Sequence, residues 1–487
     1  MAPSTTDRRL TGHVSLQLRR RAQGIWTWEG ELGESESASR RTFNNAPPIP
    51  RRMTYARLTE LSPADDEKEV SVAGWAEDVR NLGGIAFVIL RQREGTLQLA
   101  VRKKEQPAIF DLVAGLTRES VIAATGVLKA NPQARNGWEI FPTALETLSS
   151  AAAPLPLGVV DKVGADMDTR LDNRTLDLRK PERRAIFHVR DLLLRGIREY
   201  LHRHGFVEVT TPKLSGAGAE GGATLFRTDY FGRDAYLSQS PQLYKQMLMA
   251  TGLDRVFELS PAFRAEPSDT VRHVTEFLSF DAEVSPIADQ EDFLKILEGC
   301  VAHAIAHVRE HGKAYLEALA VDPKIPALPL PRVRYADALG MVAAEGKTIR
   351  DGDDLDTEAE KILGRSMAAK GHDLFFITEY PTAIKPFYVM AKDDEPAYSH
   401  SFDLEFKGDE MASGGQREHR YDRLVARMRE MGLNSDSFEF YLKAFRYGMP
   451  PHGGWGLGID RLVQKALDLP NIREAILFPR DRNRLVP

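Results

Sequence analysis

The sequence predicts an α+β fold built on an antiparallel sheet and preceded by a small all-β barrel, and three observations predict it. At 487 residues the chain exceeds one ordinary core and should divide into two or three domains. From Met53 to Leu157 short β-type runs follow one another with turns between them. After residue 250 strand-like and helical stretches mix without the regular βαβ alternation of a doubly wound fold.

Composition limits the function classes. Hydrophobic residues at 42% and charged residues at 28% describe a globular protein, and no run of about 18 uncharged apolar residues suggests a membrane span. The single cysteine, Cys300, excludes an internal disulfide framework and a multi-cysteine zinc site, so a reducing cytosol fits best. The net charge of -5 neither requires nor excludes a polyanionic partner; local basic patches would have to supply that contact.

The elements follow in order. Residues 1–52 combine scattered arginines with a Gly/Glu/Ser stretch and Pro47-Pro48-Ile49-Pro50, and read as a poorly ordered extension. Its basic start is compatible with an organelle transit peptide, a basic tail that helps hold RNA, or an idle stretch before a start at Met53. In residues 53–157 the runs Val70–Trp75, Ala86–Leu90, Thr96–Val101 and Ser120–Leu128 have the spacing of a five-stranded OB-fold. Residues 158–183 read as a hinge, and 184–487 as the larger domain. There Ile186, Val189, Leu193, Ile197 and Leu201 recur at helical spacing, with Gly205 as the C-terminal stop. Phe206–Thr210 is a predicted strand, stopped by Pro212.

Val256 to Glu283 reads as two strands around a polar loop. Alternation places Arg264 and Glu266 on one face, and Phe277, Ser279, Asp281 and Glu283 on one face of the return strand. A planar guanidinium, a carboxylate and an aromatic ring on one surface suit a phosphate, an adenine amino group and a purine face. Near the C-terminus, His452-Gly-Gly-Trp-Gly-Leu-Gly-Ile-Asp-Arg461 sets glycines before a helix whose N-terminus and Arg461 favour anionic oxygens. Taken singly, each segment is more often an ordinary solvated hairpin or a packing turn.

Together with the helix–strand–proline segment ending at Pro212, these two segments resemble motifs 2, 3 and 1 of class II aminoacyl-tRNA synthetases, in the right order. Arg170-Leu-Asp-Asn-Arg174-Thr-Leu-Asp-Leu-Arg179 resembles the entry signature of the subclass with an N-terminal OB anticodon-binding domain, and the likeness runs from Met53 to Pro487, nearest the archaeal and eukaryotic aspartyl enzymes. It implies a ligase that activates aspartate with ATP and loads it onto the 3′-OH of tRNA, with Mg²⁺ on the phosphates and a homodimeric state. Neither a P-loop nor the class I His-Ile-Gly-His pattern is present.

The resemblance also assigns residues. Gln242 would contact the aspartate α-amino group and Lys245 its side-chain carboxylate, on a helix capped by Ser240 with Pro241 in its first turn. Arg417 would clamp the β-carboxylate beside Ser413, and Glu220, in the glycine-rich stretch 216–222, would close over the α-ammonium. A neutral asparagine would then leave Lys245 and Arg417 without a counter-charge. Arg264 and Arg461 are the implied catalytic arginines. ATP would meet Arg264, Glu266, Arg272, His273, Phe277, Glu410 and Arg461, with Mg²⁺ on Asp403 and Glu410 and position 409 in reserve. Phe87, Gln98 and Arg80 match anticodon contacts, the ring stacking a base and the amide reading an edge. Glu77 stands where members specific for tRNA-Asp carry Trp and relaxed members often carry His, so the resemblance leaves tRNA-Asp alone, or tRNA-Asp with tRNA-Asn, as acceptors.

Overall fold

The computed structural model describes residues 55–93, 95–160, 164–216, 225–268 and 270–486, with the backbone of 16–20 and 26–30. The chain divides into two compact units, Met1–Ala153 and Pro154–Pro487. Within the extension, β1 (Leu16–Arg20) pairs antiparallel with β2 (Trp26–Gly30), a hairpin the sequence reading did not place. The rest of residues 1–52 lies outside the described residues.

In the first unit β3 (Glu69–Asn81), β4 (Ile85–Arg91), β5 (Thr96–Arg102), α1 (Pro107–Ala114), β6 (Val121–Ala130) and β7 (Trp138–Ser149) form a closed barrel of order β3-β4-β5-β7-β6. Period-two alternation turns Val72, Val88, Leu90, Leu97, Leu99 and Ile122 inward, where they are fully or almost fully buried.

The second unit opens with α2 (Met167–Asp172), α3 (Arg174–Asp177), α4 (Pro181–Arg203), β8 (Val207–Glu208), β9 (Leu214–Ser215), β10 (Arg227–Tyr230) and β11 (Arg233–Leu237). There follow α5 (Gln242–Met249), β12 (Arg255–Phe263), β13 (Glu276–Val284), α6 (Glu291–His311), α7 (Lys313–Leu319), β14 (Arg332–Arg334), α8 (Tyr335–Ala344) and α9 (Thr357–Ala369). The last elements are β15 (Leu374–Thr378), β16 (Ser401–Phe406), β17 (Glu410–Gln416), α10 (Tyr421–Glu430), α11 (Glu439–Arg446), β18 (Gly453–Gly458) and α12 (Ile459–Ala466).

Eight of these strands form one sheet of order β14-β15-β16-β17-β18-β13-β12-β8. Its interior is antiparallel, as predicted, while the edge pairs β12–β8 and β14–β15 are parallel. The strand expected over 206–210 is paired only at Val207–Glu208. The helix before it ends as its composition demands, with Gly205 at φ 77° just past the cap. Residues 158–183, read as a hinge, include α2 and α3, whose buried Arg170 and Arg174 bond Glu474 and the carbonyls of Ile476 and Leu477.

One face of the sheet is apolar. Phe257, Phe280, Ala282, Phe402, Leu404, Trp455 and Leu457 bury it against Val189, Leu193 and Ile197 of α4 and Leu297, Val301 and Ile305 of α6. Alternation then forces Ser279, Asp281, Glu283, Asp403 and Glu405 onto the opposite face, so the packing that builds the core also selects which side chains line the site.

Candidate active site

The glycine run before α12 is a strand rather than a turn: β18 lies between β13 and β17 in the middle of the sheet. A Cβ on Gly454 would come within 2.1 Å of the Ala282 carbonyl oxygen, and one on Gly414 within 2.3 Å of the Gly454 carbonyl oxygen, so side chains are excluded by close strand approach. On the polar face this leaves a cavity of about 410 Å³. Of the residues expected there, Gln242, Arg264, Glu266, Arg272, His273, Phe277, Glu410, Ser413, Arg417 and Arg461 all line it. Glu220 lies outside the described residues.

At one end is a buried charge cluster. Lys245 Nζ donates to Asp281 Oδ1 at 2.9 Å and to the Trp455 carbonyl at 2.7 Å, and stands 3.7 Å from Glu283 Oε2. Arg417 donates to Glu283 through Nε at 2.9 Å and Nη2 at 3.3 Å. Ser279 Oγ donates to Asp281 Oδ2 at 2.5 Å. Two cations thus face two carboxylates. Lys245 sits behind the cavity wall, whereas Asp281 and Arg417 form it. The expectation that a neutral ligand would strand Lys245 and Arg417 without counter-charge is corrected: both carry one already. Gln242 Oε1 accepts from Arg417 Nη2 at 3.4 Å, and its Nε2, like Gln239 Nε2, is buried without a hydrogen-bond partner. Those two amides are donors placed for ligand oxygens.

Cations gather at the other end. Arg264 and Glu266 follow the end of β12, in the loop, with Arg264 over the Phe277 ring at 5.4 Å and 3.9 Å from Glu266. His273 Nδ1 is 2.6 Å from Thr270 Oγ1, and burial, followed by the Arg461 charge, holds its imidazole below the usual range. Arg461 donates to the Glu410 carbonyl at 2.8 Å. Its neighbour Asp460 accepts from the Leu278 amide at 2.8 Å and from Arg190, which clamps the first turn of α12 to β13. Arg272 is held by Glu360 at 3.1 Å and by Asp409, which also pairs with Lys465.

Beside this lies a second cavity of about 230 Å³, lined by Glu360, Lys385, Asp403, Glu405, Glu410 and Ser413. Burial pushes Glu360 up to about 7, with Glu410 and Asp409 adding to the rise against the Arg272 pairing. Glu405 is driven well above the carboxylate range by burial and then by the Glu360 charge, and Glu410 is raised by burial and then by Asp403. Lys385 meets Asp403 at 3.0 Å, and Glu405 Oε2 is buried with no partner at all. A carboxylate cluster with an orphaned oxygen is a donor set fit for a hard divalent cation.

Sequence reasoning named Asp281 and Glu283 only as strand-face residues and missed Glu360, Lys385, Glu405 and Asp460. The alternation Asp403, Glu405 along β16 was available as a signal; Lys385 and Glu360, far apart in the chain, offered none.

In the first unit Arg80 is opposite Phe87 and Gln98 opposite Ile89, so Arg80, Phe87 and Gln98 share the outer face of β3, β4 and β5. Gln98 Nε2 donates to Glu139 at 2.7 Å. Glu77 occupies the bulge between Ala76 and Asp78 and accepts at 3.1 Å from the buried Arg91, which also pairs with Glu119 at 2.6 Å.

Residues 166–482 match the profile of class II tRNA synthetases (D, K and N), and residues 70–148 that of an OB-fold nucleic acid binding domain. The chain is 50% identical over 431 residues to an aspartate–tRNA(Asp) ligase of Thermococcus kodakarensis, covering 88% of this chain and 98% of the relative. It is 49% identical over 435 residues to an aspartate–tRNA(Asp/Asn) ligase of Methanopyrus kandleri, covering 89% and 99%. The crystal structure of Pyrococcus horikoshii asparaginyl-tRNA synthetase complexed with asparaginyl-adenylate superposes with a TM-score of 0.82 at 34% identity, covering 89% and 99%.

Proposed function

The chain belongs to the archaeal-type aspartyl-tRNA synthetases of class II and ligates aspartate to tRNA-Asp, and from that premise we propose how its residues divide the work. The observation that carries the proposal is the separation of charge along one cavity: Lys245 and Arg417 with Asp281 and Glu283 at one end, Arg264, His273 and Arg461 at the other.

Aspartate occupies the first end. Its β-carboxylate takes the edge of Arg417 not spent on Glu283, with Lys245 holding Asp281 and Glu283 in register, and Gln242 and Ser413 completing the pocket. The resemblance assigns the α-ammonium to Glu220. Selectivity against asparagine then rests on an array already neutral without ligand, in which an amide NH₂ aimed at Arg417 finds a donor where it needs an acceptor.

ATP occupies the other end, its adenine on Phe277 with the amino group at Glu266, and its phosphates among Arg264, Arg272, His273 and Arg461. The aspartate α-carboxylate attacks the α-phosphorus in line as the bond to pyrophosphate breaks; the ribose 3′-oxygen of tRNA then takes the aspartyl group, losing its proton, as the acyl–phosphate bond breaks and AMP leaves. Arg264 bridges the α-phosphate and the attacking carboxylate, and Arg461 meets the γ-phosphate; positioning and charge stabilisation are the protein's contribution. Asp403 and Glu410 would hold Mg²⁺, with Glu405 and Glu360 in support. When bound, that ion neutralises the phosphate oxygens and the departing pyrophosphate.

Arg80, Phe87 and Gln98 take the anticodon on the outer face of the barrel. A second reading, in which tRNA-Asn is charged too, stands beside it because Glu77, its carboxylate drawn to Arg91, lacks the Trp of members specific for tRNA-Asp. Homodimerisation belongs to the same proposal, and the exposed Val207, Phe440 and Tyr447 supply apolar surface beside the motif 1 strand. Aspartate-dependent ATP–pyrophosphate exchange, followed by aspartylation of tRNA-Asp and tRNA-Asn transcripts side by side, tests the assignment. Absence of exchange defeats it, and charging of tRNA-Asp alone removes the second reading.

A further inference from the structure

Away from the cavity, Glu199 on α4 and His303 and His307 on α6 bring three ligand atoms within 4.8 Å of one another, the one such group of His, Cys, Asp or Glu among the described residues. Glu199 Oε2 is 3.3 Å from His307 Nδ1 and 3.6 Å from His303 Nε2, while Oε1 pairs with Arg203. We propose that Glu199, His303 and His307 bind one Zn²⁺, which staples α4 to α6.

The geometry favours it. A tetrahedral zinc with bonds of about 2.0–2.1 Å sets its ligand atoms roughly 3.3–3.4 Å apart. The two distances from Glu199 Oε2 are near that spacing, and the two imidazole nitrogens lie within 4.8 Å of each other. Positions 303 and 307 differ by four, which puts both imidazoles on one face of α6. The neighbouring helix is close because it carries Gly196, where a Cβ would come within 2.9 Å of Ala304 Cα and 3.0 Å of His307 Cβ. The pairing of Arg203 with Oε1 orients the carboxylate so that Oε2 faces both rings. His303 Nε2 is buried yet makes no hydrogen bond. Its nearest polar neighbour is Glu199 Oε2, so once deprotonated this nitrogen offers a lone pair beside the same carboxylate oxygen.

Two imidazoles with one carboxylate select a late first-row divalent ion. Mg²⁺ prefers an all-oxygen octahedron and retains its waters, so it competes poorly here. All three side chains remain partly exposed, which leaves an entry path and a solvent molecule in the fourth position.

The test is titration of the EDTA-stripped full-length protein with ZnCl₂, by calorimetry and by thermal shift, in millimolar Mg²⁺. Expected is one zinc per chain at micromolar or tighter affinity, with a rise in Tm. The His303→Gln/His307→Gln variant should lose at least tenfold in affinity and all of the Tm rise. Glu199→Gln, which keeps the shape, should lose affinity as well and guards against a double variant that fails to fold. Aspartate-dependent exchange without zinc should stay at the wild-type rate in both. No binding at micromolar zinc, or undiminished stoichiometric binding in Glu199→Gln and the double variant, overturns the proposal.

Discussion

Lys245 and Asp281 form a buried ion pair, 2.9 Å from Nζ to Oδ1, with each side chain 3% exposed. Removing the lysine strands Asp281 in a low-dielectric pocket, while Glu283 keeps Arg417, a loss on the order of 3–5 kcal/mol. Lys245→Leu is therefore expected to lower Tm and also to cut kcat/KM for aspartate by a hundredfold or more, while KM for ATP stays within about threefold. The ATP–pyrophosphate exchange assay reads both substrates. An unchanged kcat/KM for aspartate would take Lys245 out of amino-acid selection, and an equal loss for ATP would mean that the whole cavity had collapsed.

The acidic cluster makes a pH-dependent prediction. Glu360 has a folded pKa of about 7 against an ordinary 4.5, so the native state holds its proton longer than the unfolded chain. Its contribution to stability is complete below about 4.5 and is lost as pH rises through 7. Glu360→Gln fixes the neutral form and should gain on the wild type across that window by roughly 2–4 kcal/mol, the Arg272 contact being kept by the amide oxygen. Melting temperatures at pH 5 and pH 7.5 in EDTA measure it. Saturating Mg²⁺ should shrink the difference; a gap indifferent to both pH and Mg²⁺ would separate Glu360 from the proposed metal site.

What the sequence disclosed divides along physical lines. Alternation and helical periodicity are local, so α4, the β12–β13 pair and the barrel strands β3 to β6 were legible, as were cavity residues carried by recognisable motifs such as Arg264, Phe277 and Arg461. Pairing across the sheet is not local. Nothing near residue 245 reveals that its ammonium is committed to Asp281, 36 positions on. The glycine run was read as a turn because glycine is a poor strand former, and only its neighbours explain the strand, since there is no room beside Ala282 for a side chain. The Glu199–His303–His307 group went unseen for the same reason, its members lying on two helices brought together by packing.

His452 supplies an acid-side prediction. It is fully buried, and burial pulls its pKa down to about 4 from an ordinary 6.5. Its Nδ1 donates to the Pro450 carbonyl at 2.8 Å, its Nε2 is 3.3 Å from the Gln246 amide, and its own carbonyl accepts from the Arg417 amide at 2.9 Å. The neutral ring is the native form, so its stability is present above 6.5 and lost as pH falls through 4. His452→Gln should flatten the acid limb of the Tm profile between those values, by roughly 3 kcal/mol at its fullest extent. An acid limb as steep as the wild type's would place the titration elsewhere.

The barrel face can be tested apart from the chemistry. Phe87 is half-buried on the outer side of β4, between core-facing Ala86 and Val88, so its side chain is partly open to a base. Losing one base stacked on such a ring costs about 1–3 kcal/mol. Phe87→Ala should therefore lower kcat/KM for tRNA-Asp about tenfold or more and leave aspartate-dependent exchange untouched, because exchange needs no tRNA. Gln98→Ala should behave alike with a smaller loss, since its amide also serves Glu139, which takes a second hydrogen bond from Asn131 at 2.9 Å. Comparing the two substitutions on tRNA-Asp and tRNA-Asn separates stacking from edge reading. A ring that merely stacks weakens both acceptors equally, whereas an amide that reads one anticodon base shifts their ratio, and exchange reduced along with charging would show that Phe87 supports the fold instead.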